Sequence, residues 1–284
     1  MDIKTLLTTA FQVSLLLTVF GFGLRATPDD VLYLVHRPGL LARSLMAMFV
    51  VTPIAAVLIE RSFDLDRRLE IVLVALALAP VPPMLPKKAG TLTSQGYPLS
   101  LTTTMSLLSI VIAQIGVVIL GQVVGRTISM SSGAMASIIL RAVLAPLLVG
   151  MLVRRAAPAV ADRVQKPLAI VAGVLLAAAT LALLAASASA LWALASPSAL
   201  MAIVAFVLIG LAAGHVLGGP DPEHASVLAL ASASRHPGIA LALASANFPL
   251  DRFGGFVLLY LVVSAIVSLP YTKWRKTTMV EATA

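Results

Sequence analysis

Arg235, His236, Pro237 and Gly238 stand in a row at the middle of an apolar stretch, 225–247, that reads ASVLALASASRHPGIALALASAN. A guanidinium offers five fixed donors to carboxylate or phosphate oxygens, and an imidazole exchanges protons near physiological pH. Pro237 lacks an N–H and its ring clashes with the carbonyl of Ala233, while Gly238 lifts the steric limit on the next turn. A helix through this stretch is therefore expected to break or kink, with carbonyls and N–H groups turned inward. In hydrocarbon such backbone survives only when buried in protein or lining a wet cavity, and an arginine at that depth marks function by default. The four residues are expected to line a substrate site. Two readings stand for each charged member. Arg235 contacts an anionic substrate or bonds the carbonyls that Pro237 frees, and His236 is a satisfied interior histidine or a proton carrier.

A second interruption lies at 79–90, APVPPMLPKKAG, with four prolines followed by Lys87 and Lys88. No straight helix runs through it. Pro82, Pro83 and Lys87 are candidate substrate-site residues on this ground. The alternative is that the helix ends here and both lysines snorkel to the interface. Thr103, amid the hydroxyls of 102–109, and Gln12, an amide inside an early apolar segment, either face a cavity or serve helix packing. His215 and His224 flank GHVLGGPDPEH beside Asp221 and Glu223. A solvated loop with Asp221 capping the next helix is preferred there to a metal site. Gly210 and Gly214 form a GxxxG pair, read as close helix packing.

These residues must be positioned by helices that cross a membrane. The 284 residues are 60% hydrophobic and 11% charged, which no ordinary soluble domain approaches. Windows long enough for a ~30 Å hydrocarbon core run over 6–24, 40–59, 71–96, 98–120, 134–153, 168–186, 199–217, 225–247 and 256–269. The expected fold class is an all-α polytopic membrane protein of nine transmembrane helices, one unit over 1–284. The window at 6–24 lacks a small-residue cleavage site and is counted as a helix of the mature protein. The formal charge of +8 comes from basic residues scattered between spans without aromatic interleaving, so they read as topology signals and not as a nucleic-acid surface. Sorted by alternate loops, Arg25, Arg37, Arg43, Arg154, Arg155, Arg163, Lys166, Lys273, Arg275 and Lys276 fall on the richer side, against Lys4, Arg61, Arg67, Arg68, Arg126 and Arg252. That places the N-terminus outside and the C-terminus inside a plasma (inner) membrane. With no cysteine, disulfides, thiolate metal sites and cysteine nucleophiles are excluded, and no cofactor is implied.

The two interrupted windows are the third and the eighth. If 6–120 forms one block of four helices and 168–270 another, joined by a helix at 134–153, each is the third member of its block. Five crossings separate the blocks, so they are oppositely oriented. Paired broken helices in inverted repeats are the sequence pointer to a secondary transporter, with substrate where they cross.

RHPGIALALA in the eighth helix, FGFGL at 20–24 and YPLSLTTTMSLLSIV after the kinked third helix resemble the bile acid:sodium symporter family over nearly the whole chain. The resemblance implies a core domain holding the crossing helices, a panel domain that moves against it, and a cavity for an organic anion open to one side at a time. It also exposes a departure. The sodium-coupled members carry an acid, a glutamine and an asparagine at the second crossing, where this chain has Ala231, Arg235 and His236. The family's first-half glycine pair and asparagine fall near Pro82, Pro83 and Lys87. All twelve acids lie in termini, loops or span ends. Sodium prefers charged oxygen ligands, and fixed cations would repel it.

The expected function is thus secondary transport of organic anions, bile acids or other carboxylate- or sulfonate-like solutes, without sodium. Fixed cations would stand where the ion would bind and, with half-helix N-termini, attract the anion. His236, if wet, adds a proton-dependent step. The alternatives are neutral or metalloid cargo on the same fold, or a membrane sensor or enzyme. The metalloid carriers of related architecture use a cysteine that is missing here, and no intramembrane catalytic motif is present.

Overall fold

The computed structural model describes residues 3–90, 92, 96–124, 132–248 and 250–281, with side chains for 6–119 and 132–279 within those segments. Asp2, Lys4, Arg126 and Glu281 of the charge census fall outside the described residues or side chains. Among the described residues every regular element is helical. The order is α1 Ile3–Gly23, α2 Pro28–Leu32, α3 Pro38–Met46, α4 Thr52–Ser62, α5 Arg67–Leu78, α6 Leu85–Ala89 and α7 Gly96–Val124. Then follow α8 Ser132–Ile139, α9 Ala145–Ala156, α10 Pro158–Leu194, α11 Pro197–Leu217, α12 Pro222–Ala233, α13 Pro237–Asn247 and α14 Gly254–Glu281. The chain is an all-α polytopic membrane protein.

Eight helices among the described residues are long and apolar enough to cross a membrane, counting α3–α4, α8–α9 and α12–α13 each as one. The ninth predicted window, 71–96, is the pair α5 and α6, and the proline run between them leaves neither half long enough to count. Leu152, Ile170, Val174 and Leu181 are 64–68% exposed, an apolar surface that suits lipid and not water. α10 is longer than the window 168–186 because its polar first turns, with Pro167 among them, continue the helix beyond the apolar part.

Two π-helical turns, Ala47–Val51 and Leu140–Leu144, interrupt α3–α4 and α8–α9. Each is followed two residues later by a proline, Pro53 and Pro146. A proline has no N–H to return to the turn before it, so the widened turn leaves a carbonyl free for another partner.

Packing sorts the helices into two groups. α1 lies against α9 and α10. A Cβ on Gly150 would fall 2.8 Å from the Cα of Gly23, so these two helices touch backbone to backbone. On α10 only Ala161, Ala172 and Ala179 are buried, spacings of three and two turns that make one narrow stripe. The larger core gathers around α5, α11, α12, α13 and α14. There Gly210 sits so close to α12 that a Cβ would come within 2.8 Å of the Ser232 carbonyl, and Gly214 meets Leu228 and Ala229 in the same way. The GxxxG pair is thus a packing seam, as expected. Asp221 caps α12 by accepting from the N–H groups of Glu223 and His224. The two histidines of that loop go separate ways, His224 to the Tyr33 hydroxyl and His215 to that of Tyr271, each at 2.8 Å.

Candidate functional site

The breaks at 79–84 and 234–236 meet. α5 packs against α13, α6 packs against α12, and the His236 N–H donates to the Pro80 carbonyl at 2.9 Å. Each break thereby satisfies a backbone group that the other leaves open.

The eighth helix breaks as its residues dictate. Pro237 cannot donate to the Ala233 carbonyl, so that oxygen accepts from the Tyr260 hydroxyl at 2.9 Å and from Ser264 Oγ at 3.1 Å, both on α14. The same Tyr260 oxygen accepts the Arg235 N–H at 2.9 Å. His236 is the N-cap of α13, its Nδ1 accepting from the Ile239 N–H at 3.4 Å. His236 thus takes one of the N–H groups at this half-helix N-terminus.

Arg235 is 1% exposed. Its Nη2 donates to the Met48 carbonyl, to Thr52 Oγ1 and, at 2.9 Å, to the Ala77 carbonyl. Met48 lies in the first π turn and its carbonyl is the one Pro53 cannot serve. Ala77 lies in the last turn of α5, where helix carbonyls run out of partners. One guanidinium nitrogen thus ties the break after α12 to α3–α4 and α5 through three oxygens. The other two, Nε and Nη1, are buried without a hydrogen-bond partner among the described residues, as is His236 Nε2. The Phe49 ring lies 5.9 Å from the guanidinium carbon. The ion pairs Arg68–Asp66, Arg154–Asp162 and His224–Asp221 lie at span ends or in loops.

Of the other candidates, Pro83 is buried and Pro82 half-buried in the first break, and Pro237 and Gly238 open α13. Lys88 is drawn inward, its Nζ donating to Ser234 Oγ at 2.8 Å in the second break. Lys87 is exposed and turns the other way, its Nζ 3.3 Å from where a Cβ on Gly173 of α10 would sit. Thr103 is buried with its hydroxyl bonded to the Leu99 and Ser100 carbonyls of its own helix. Gln12 is exposed on α1, away from the crossing.

Sequence reasoning missed Tyr260, Ser264 and Thr52, which hold the break, and Arg141, an exposed arginine in the second π turn at mid-span. The signal for Arg141 was present, since an ionisable residue inside an apolar window is costly wherever it falls.

Among the described residues, eight spans, two helices broken where they meet, and a buried arginine with no acidic partner at the meeting point make up a polytopic membrane protein. The chain belongs to the Sodium Bile acid symporter family, whose model matches residues 12–194, more than half of its length. The match runs from α1 to the end of α10 and stops short of the break that carries Arg235. No curated protein matches the chain.

Proposed function

We propose that this chain carries organic anions across a plasma (inner) membrane by alternating access, without sodium, with its N-terminus outside and its C-terminus inside. The observation that carries the reading is the Arg235 guanidinium at the crossing, bonded to two backbone carbonyls and one hydroxyl. Those are oxygen ligands of the kind a sodium ion takes. A tethered cation holding them keeps positive charge at the crossing through every cycle and leaves no seat for a mobile one. The division into inverted repeats, 6–120 and 168–270, belongs to this proposal, with α1, α9 and α10 as the group that moves against the crossing helices. Arg235 itself is a positioning residue: its contacts are to protein oxygens, and it sets the charge that an anion meets nearby.

The test is uptake of labelled taurocholate, smaller organic anions and uncharged analogues into proteoliposomes with and without a sodium gradient. Uptake of an anion at equal rates under both conditions is the expected result. Sodium-dependent uptake would overturn the ion-replacement reading, and uptake confined to uncharged solutes would overturn the anion reading.

A further inference from the structure

Lys87 and Arg141 belong to different helix groups and stand at one depth. Arg141 lies 15 residues before Ala156, and Gly173, against which the Lys87 ammonium rests, lies 15 residues after Pro158. At about 1.5 Å per residue each is roughly 22 Å from the corner where α9 turns into α10. α1 runs alongside α9 and the second π turn and is pinned to α9 by the Gly23–Gly150 contact. Gln12, eleven residues from Gly23, comes to roughly 25 Å from the same corner, within one turn of the other two.

All three side chains are exposed in the protein, and two are cations. Neither Lys87 nor Arg141 has an acidic partner among the described residues. The sequence holds no acid between Glu70 and Asp162, and Asp162 is taken by Arg154. A guanidinium and an ammonium at mid-span are stable facing a wet cleft or an anion, and not facing acyl chains. Gly173 lets the ammonium lie close to α10, a Cβ there coming within 3.3 Å of it.

We propose that Arg141 and Lys87 form a two-point site for a dianion, one carboxylate taken by the Arg141 fork and the other by the Lys87 ammonium, with Gln12 donating at the same level. This rests on the anion-carrier reading and names its substrate class: a linear dicarboxylate or similar dianion is preferred over a monoanion. The geometry of the two cations suits it. Arg141 presents a planar fork that matches a carboxylate bidentately, and Lys87 a compact point charge on a flexible stem. Lys87 belongs to the crossing helices through α6, which packs on α12, and Arg141 to the second π turn, which packs on α1 and α9. A ligand bridging them joins the two groups, and a monoanion would leave one cation unpaired.

The experiment measures equilibrium binding of succinate, glutarate and adipate against butanoate, pentanoate and hexanoate to the full chain in proteoliposomes. The best dicarboxylate is expected to bind about tenfold or more tighter than its monocarboxylate counterpart. Arg141→Gln and Lys87→Gln should each bring that ratio close to one while leaving monocarboxylate affinity in place. Because the chain has no cysteine, Arg141→Cys introduces a single thiol. A charged, water-borne methanethiosulfonate should modify it, and the best dicarboxylate bound to the still-present Lys87 should slow that modification.

Equal affinity for the two series in the wild-type protein, or an Arg141→Gln variant that keeps the preference, overturns the inference. So does a thiol at 141 that no aqueous reagent reaches. If taurocholate is taken up while no dicarboxylate binds, the dianion site fails and the anion carrier stands. If no anion of any kind binds or moves, both fall together.

Discussion

Tyr260→Phe removes one oxygen from a fully buried ring and changes almost nothing else. In the native protein that oxygen accepts the Arg235 N–H and donates to the Ala233 carbonyl, which also accepts from Ser264. The substitution leaves the carbonyl with Ser264 but strips the N–H of its partner. A buried donor left unmade costs about 1–3 kcal/mol, and the lost donation adds about 0.5–1. Ser264→Ala alone removes a redundant donor, and hydrogen bonds between membrane helices average only ~0.6 kcal/mol. In the Tyr260→Phe background, however, Ser264→Ala orphans the Ala233 carbonyl and costs about 1–3 kcal/mol. The pair is therefore expected to be worse together than the sum of the singles by about 1 kcal/mol. The assay is thermal unfolding of purified single and double variants in one detergent, where about 2 kcal/mol corresponds to roughly 4–8 °C. Strict additivity, or a Tyr260→Phe variant that melts with the wild type, would refute the view that α14 holds the break by catching the groups Pro237 releases.

Three further outcomes are expected. Gly150→Ala puts a methyl group against the Gly23 backbone and the Phe20 carbonyl, and backbone cannot yield as a side-chain tip can. It should cost about 1–3 kcal/mol, read as a lowered melting temperature and loss of a Cys–Cys crosslink engineered between α1 and α9. Asp221→Ala removes the cap of α12 and should cost about 1 kcal/mol, with Asp221→Asn recovering most of it. Asp66 caps α5, and the hydrogen bond from Arg68 holds its carboxyl below the ordinary carboxylate value. A depressed folded-state pKa contributes stability above the unfolded value of ~3.9 that is lost as pH falls through the folded one. The melting gap between wild type and Asp66→Ala should thus be constant at neutral pH and close only in strong acid. It should be small, because the pair is exposed at the surface.

The breaks themselves were legible, because proline acts through its own missing N–H and the carbonyl a turn before it. Pro80, Pro82, Pro83 and Pro237 announced both interruptions, and Arg235 announced that the second was occupied. What closes them was not legible. Thr52 lies 183 residues from Arg235 and Tyr260 lies 25 residues from it, and no local pattern links such partners. Lys87 and Lys88 show the same limit: adjacent on one short helix, they diverge, one ammonium to Gly173 of α10 and the other to Ser234 in the second break. Arg141 was visible as a charge within an apolar window, yet only its exposure and its level with Gly173 give it a role to test.

The central claim is that a fixed guanidinium stands where a mobile cation would bind. Linkage makes that measurable at equilibrium, since a coupled ion and its substrate must strengthen each other's binding by the same factor. The dissociation constant of whichever anion the uptake panel identifies should be measured in sodium, potassium and choline chloride at equal ionic strength. The account predicts values that agree within about twofold in all three. A constant about tenfold lower in sodium, a coupling of ~1.4 kcal/mol, would contradict it and mean that sodium binds on oxygens other than those Arg235 holds.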